Sequence, residues 1–363
     1  MSQALLSRAM VASRPPAASR LGFGALLSGL GLALLATVTL AVMIGPVPLA
    51  PTLVWRVALH QLLPGLVTPN WETYQFTIIW EIRFPRVLLG GLVGAGLALI
   101  GTTMQALVRN PLADPYLLGV SSGASLGAVT VMLLGVRWFG SLSLSISAFL
   151  GALLAFSVVY VLAQQGGRLT TGRLILAGVA VSYIFSAMTN VLIFNADNGE
   201  AVKSAIFWML GGLGGARWDY LGLPALVLLL GSAYLVLQAR ALNILSIGEE
   251  TAATLGVDAG RFRRQVLTLT SLMTGTLVAV SGGIGFVGLM LPHILRLLVG
   301  AEHHRLLPVA ALAGAIFLIW VDVLARVVVA PQELPIGIIT ALLGAPFCIW
   351  LMRRGNALAG GYA

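Results

Sequence analysis

From Leu21 to Ile44 the chain runs for 24 residues without a charged side chain, and uncharged or nearly uncharged runs recur at 87–108, 116–136, 142–165, 174–196, 221–238, 306–321 and 334–352. A bilayer core about 30 Å thick is crossed by about 20 apolar residues of helix, whereas barrel strands alternate in segments of about ten. Runs of this length dictate membrane-spanning helices. Composition agrees: 58% of residues are hydrophobic and 9% charged, against about 25% charged in a soluble domain. That leaves too few polar groups to cover a water-facing surface and excludes a soluble globular protein, a disordered chain and a coiled coil. The first run is longer than a signal-peptide core of about 7–15 residues, and no small-x-small cleavage site follows at Gly45-Pro46-Val47-Pro48. It is expected to remain as the first span, with Arg8, Arg14 and Arg20 in the cytoplasm.

Gln265 to Leu295, 31 residues, is too long for one span and tight for two. Arg261, Arg263 and Arg264 precede it and Arg296 and Arg305 follow it, so the positive-inside rule asks for an even number of crossings between the two clusters. Two short spans turning near Ser281-Gly282-Gly283 satisfy it. The expectation is an all-α polytopic membrane protein of about ten spans, both termini cytoplasmic. It has a tail at 1–20, one transmembrane domain at 21–352 and a second tail at 353–363. About two thirds of the 21 basic residues then fall inside, and Arg56, Arg83, Arg86, Arg137, Lys203, Arg217 and Arg326 fall outside. The net charge of +9 thus reads as topology rather than as a nucleic-acid face. Gly119/Gly123/Gly127 and Gly90/Gly94/Ala98 form small-residue faces on which helices pack closely. Two outside segments, Trp71–Arg83 and Asp197–Asp219, are more than connective, and Phe207 to Gly212 in the second is apolar enough for a short interfacial helix.

A phosphate loop needs Gly immediately before Lys-Ser/Thr. The sole lysine, Lys203, is preceded by Val202, so ATP hydrolysis is not expected of this chain. Asp322 is the one acid well inside an apolar run; it is either the titrating group of an ion-coupled carrier or the structural partner of Arg326 at i+4. His303 and His304 are adjacent and point to different helix faces, which disfavours a metal pair. His293, after Pro292, reads as a helix-end hydrogen-bonding group. No Ser/His/Asp set or paired carboxylates converge, which disfavours a membrane enzyme, and the single Cys348 reads as a small hydrophobe.

In the inside loop Ala239–Arg264, Ser246 to Val257 carries Glu249 and Glu250 in a first turn and Gly256 at a stop, the marks of one short helix. Beside Arg261–Arg264 it reads either as a docking knob for a soluble partner or as an interfacial connector.

Arg83-Phe84-Pro85-Arg86, the run Gln105 to Pro115, Leu118 to Ala124, Gly248-Glu249-Glu250 through Leu255-Gly256-Val257, Phe286-Val287-Gly288-Leu289 with Pro292-His293, His304-Arg305, Glu333 to Gly337 and Gly344-Ala345-Pro346-Phe347 occur in this order. Together they resemble the permease subunit of ABC importers for iron-siderophores, haem and cobalamin, the FecCD type. The resemblance runs from about Arg83 to Met352.

The resemblance implies a homodimer of ten-span subunits in the bacterial inner membrane. It implies two cytoplasmic ATPase subunits that bind the ATP and Mg, no cofactor in this chain, and a periplasmic substrate-binding protein. Cargo would be a ferric siderophore or haem, with cobalamin next, moved by alternating access. By position, Arg83, Arg86 and Arg326 would receive acidic residues of the binding protein, a task suited to guanidinium forks. Gly248, Glu249, Glu250, Ala252, Leu255, Gly256 and Val257, within a loop of about 240–264, would couple to the ATPase. Asn110 and Thr171 would form the cytoplasmic gate, with a helix-end cap beside Pro111 the competing reading for Asn110.

Overall fold

A computed structural model describes residues 20–136, 138–165 and 168–353. Arg8, Arg14, Arg137, Arg354 and nearly all of both expected tails lie outside the described residues. The chain runs as α1 (Arg20–Met43), α2 (Pro51–Leu62), α3 (Thr73–Val108), α4 (Val120–Leu134), α5 (Ser143–Ala163), α6 (Thr171–Phe194) and α7 (Gly199–Met209). Then come α8 (Gly222–Leu237), α9 (Ala239–Ile247), α10 (Glu249–Thr254), α11 (Ala259–Ser281), α12 (Val287–Val299), α13 (His303–Val327) and α14 (Ile336–Arg353). A hairpin of two-residue strands, β1 (Gln164–Gln165) and β2 (Arg168–Leu169), pairs antiparallel with Gln164 opposite Leu169; the described residues are otherwise helical or irregular.

Helix α3 is the axis of the bundle, buried along most of its length. Two glycine crossings hold it and the neighbouring α4/α5 pair. A Cβ at Gly94 would stand 2.2 Å from the Gly314 carbonyl oxygen on α13. On the other pair, a Cβ at Gly123 would stand 2.2 Å from the Gly151 oxygen on α5. Both small-residue faces are therefore backbone-to-backbone contacts, the packing available where lipid removes any hydrophobic drive between helices.

Six helical segments are long and apolar enough to cross a membrane, Gly22–Met43, Thr73–Val108, Ser143–Ala163, Thr171–Phe194, Trp218–Leu237 and His303–Val327, with shorter apolar helices at Val120–Leu134, Val287–Val299 and Ile336–Leu351. The divided run ends its first helix at Ser281 and starts the second at Val287, where the turn was expected. One boundary differs. The segment Trp71–Arg83, expected as a loop, supplies the opening turns of α3, with a π-helical stretch at Thr77–Arg83. Glu81 and Arg83 interrupt its hydropathy but not its helix. The short helix expected within 246–257, with Glu249 and Glu250 in its first turn and Gly256 at its stop, is α10, and a further helix, α9, precedes it up to Gly248.

Helices α4 and α12 have 15 and 13 residues, about 20 Å each at a rise of about 1.5 Å per residue. Irregular segments lead into them. Residues 110–119 turn back from the end of α3, and residues 282–286 precede α12. The two are tied together: Tyr116 Oη donates to the Ile284 carbonyl and accepts from the Ile284 N–H, both at 3.0 Å, while Asp114 Oδ1 accepts from the Tyr116 N–H at 2.8 Å. Beyond α7, Gly212 N–H donates to Ser281 O at 2.8 Å and Ile336 N–H to Gly211 O at 2.8 Å. Non-helical backbone inside such a bundle is tolerated only when its polar groups are satisfied by protein.

Candidate functional site at the two ends of the bundle

At the end where α1 stops, its last carbonyls lack intrahelical partners. Arg83 answers them: Nη1 donates to Val42 O at 2.7 Å and Met43 O at 3.1 Å, and Nη2 to Val47 O at 2.7 Å. Arg326 adds bonds from Nη2 to Ala41 O at 3.1 Å and from Nη1 to Ile44 O at 3.3 Å. Cations at a helix C-terminus also oppose its dipole. Behind them Asp322, 1% exposed, is held between Arg86 Nε at 2.9 Å and Arg326 Nε at 3.1 Å, and Arg86 Nη1 reaches Glu333 at 2.8 Å.

The three arginines expected to face a binding protein are thus brought together, but they are buried, each 5–6% exposed. Their donors are engaged by α1 carbonyls and by two acids of the same chain. Asp322 and Arg326 form a buried pair that extends to Arg86. Glu333, with a side chain 41% exposed, is the point where this cluster reaches the surface. Sequence reasoning gave Glu333 no role; the signal was an acid two residues before Pro335 in a chain with only 12 acids.

The opposite end is built on α10. Glu249 and Glu250 occupy its first turn, where the dipole favours anions. Its end is a Schellman motif: Val257 N–H donates to Ala252 O at 2.9 Å and Gly256 N–H to Ala253 O at 3.1 Å, with Gly256 at φ +76°. Only glycine takes that conformation without a Cβ penalty. The fold-back buries Ala252 completely and half-buries Val257, while Leu255 stands 59% exposed. Asp258 then caps α11 by accepting from Arg261 N–H at 2.9 Å.

Beside α10 opens a cleft of about 940 Å³ whose walls include Arg109, Thr170, Thr171, Glu249, Glu250 and Arg264. The expected gate threonine and the expected coupling acids therefore share one cavity. Asn110 is placed next to Arg109, exposed, and its Oδ1 accepts from Leu112 N–H at 2.9 Å. That bond is the turn-capping geometry weighed against the gate. Sequence reasoning missed Arg263, read only as one of a basic run. It is 6% exposed, donates from Nη1 to Leu169 O at 3.0 Å and pairs through Nη2 with Glu249. It also missed Asp114, whose place before Pro115 at the head of a 3-10 turn was the available signal.

A family model, the FecCD transport family, matches residues 33–354. The chain belongs to the FecCD transport family. The match takes in both ends just described. Among similar proteins, the cobalamin import system permease protein of Halobacterium salinarum is 44% identical over 78% of this chain and 74% of its own length. The hemin transport system permease protein of Yersinia pestis is 44% identical over 78% of this chain and 86% of its own. A metal-chelate-type ABC transporter solved in an inward-facing conformation superposes with a TM-score of 0.79 at 34% identity, covering 91% of this chain and 99% of that one. As a FecCD member the chain is an importer permease, a transport component with the ABC-permease fold.

Proposed function

We propose that this chain is the membrane subunit of a binding-protein-dependent ABC importer carrying a large iron chelate, ferric siderophore or haem, inward across the bacterial inner membrane by alternating access. Two copies form the homodimer, two ATPases that bind ATP and Mg sit beneath it, and a periplasmic binding protein delivers cargo. The observation that carries this reading is α10. This short helix and the Leu255 that caps it present Glu250 and Leu255 to solvent, and its acids line the same cleft as Thr171. Such a helix suits insertion into a groove of a soluble partner, and its position beside Thr171 suits transmission of that partner's movement to a gate formed with Asn110. Ten crossings with both termini inside are supported by the nine apolar helices together with α11, which is 23 residues long.

Cobalamin is the second reading of the cargo, favoured by the 44% identity to the Halobacterium salinarum permease. The test is to assemble the chain with a co-expressed ATPase and offer binding proteins loaded with haem, ferric siderophore or cobalamin. One loaded protein is expected to stimulate hydrolysis and so nominate the cargo; no stimulation by any, from a complex that assembles, would count against the importer reading.

For docking, an incoming carboxylate would compete with Glu333 for Arg86. Glu333→Gln should therefore tighten binding-protein affinity at low salt, as titrated by fluorescence. Weakened affinity would show that Glu333 itself makes the contact.

A further inference from the structure

Topology asks only that Arg261, Arg263 and Arg264 lie on the cytoplasmic side, in water. Arg261 obeys and is exposed, whereas Arg263 is 94% withdrawn from solvent, 6% of it remaining exposed. Burying a guanidinium is unfavourable unless its hydrogen bonds and charge are answered, so this placement needs a reason that charge sidedness does not give.

The reason lies in what its two ends join. Nη1 donates to the carbonyl of Leu169 at 3.0 Å; Leu169 ends strand β2, two residues before Thr171 opens α6. Nη2 pairs with Glu249, the first residue of α10. The buried Nε has no protein partner, so the fork is held by these two bonds and by the backbone of α11. Helix α10 has little else to hold it. It is six residues long, jointed by glycine at either end, and Ala252 is its one fully buried residue. The Glu249 side chain is 49% exposed, leaving the α10 end of the linkage beside water and able to rearrange.

We propose that Arg263 is the positioning residue that transmits displacement of α10 to the gate segment at Thr171. This rests on the importer reading, since it assigns the movement of α10 to an ATPase. A planar guanidinium with donors in a fixed fork joins a carboxylate and a carbonyl at a set separation, which a lysine ammonium does not reproduce. A shift of α10 therefore draws Glu249, Arg263 and the Leu169 carbonyl together. Arg263 touches no cargo.

The assay is the ratio of cargo imported to ATP hydrolysed in proteoliposomes holding the full complex. Arg263→Gln should lower that ratio by about tenfold while hydrolysis persists, Arg263→Lys should restore it in part, and Glu249→Gln, altered at the exposed end where folding is insensitive, should lower it in the same sense. Equal loss of import and hydrolysis, or an unchanged ratio, would overturn the proposal. A second measurement needs no ATPase and so separates this failure from that of the importer reading. In the purified chain on a Cys348→Ser background, spin labels at Thr170→Cys and Ala253→Cys, both on the cleft wall, should give a broader distance distribution when Arg263→Gln is added. An unchanged distribution would show that Arg263 does not hold the two segments together.

Discussion

Asp322 shows how a residue's role depends on what surrounds it. By hydropathy it is an acid in an apolar run, the pattern of a titrating carrier group, yet it sits between Arg86 and Arg326 at 2.9 and 3.1 Å. Removing one member of a buried ionic set leaves the others uncompensated, typically at a cost of about 3–5 kcal/mol. Asp322→Asn should therefore lower the unfolding temperature of the detergent-solubilised protein sharply while import per folded molecule persists. Normal stability with import abolished would return Asp322 to the carrier reading. Sequence legibility was uneven at this scale. That Arg83, Arg86 and Arg326 stand at the same end as the close of α1 followed from charge bias. That they are turned inward did not, because the carbonyls they bind, Val42, Met43, Ala41 and Ile44, belong to backbone, which carries no residue-type signal. Arg263 was hidden for the same reason: the Leu169 carbonyl is invisible in a list of side chains.

Among elements, the close-packing faces were legible because small residues repeat at i, i+4, whereas the helices they meet were not. Gly94 against Gly314 and Gly123 against Gly151 leave no room for a methyl group. Gly123→Ala should destabilise the bundle by about 1–3 kcal/mol, the usual range for overpacking. Gly29→Ala on α1, where a Cβ meets nothing within 4 Å, should be neutral or slightly favourable in the same thermal assay. Equal effects at the two sites would mean that the crossing at Gly123 is not a tight one. Helix α10 makes a different prediction. Leu255 is 59% exposed, so Leu255→Asp should leave the stability within about 0.5 kcal/mol of wild type and abolish co-purification of the ATPase; retained co-purification would remove the docking role. The start of α10 at Glu249 was legible from its first-turn acids, whereas α9 was read only as part of the loop before it. The π-helical turn at Thr77–Arg83 was likewise masked by two charges that read as a loop.

At the scale of the whole molecule, the fold follows from sidedness. On the proposed topology the basic residues mark the cytoplasmic loops, and the long apolar runs mark the crossings. The short helices α4 and α12 are each preceded by an irregular segment, and the two segments bond one another at Tyr116 and Ile284. The end where α1 stops is filled by the buried cluster of Arg86, Asp322 and Arg326, and a cleft lies beside α10 at the opposite end. On the proposed importer reading energy enters through an ATPase partner. The decisive measurement is uptake into proteoliposomes containing the chain, its ATPase and a loaded binding protein, energised either by enclosed ATP or by an imposed proton gradient alone. ATP-driven uptake that requires the binding protein and is lost in Leu255→Asp is the predicted result. Uptake driven by the gradient without ATP, and unaffected at Leu255, would contradict it.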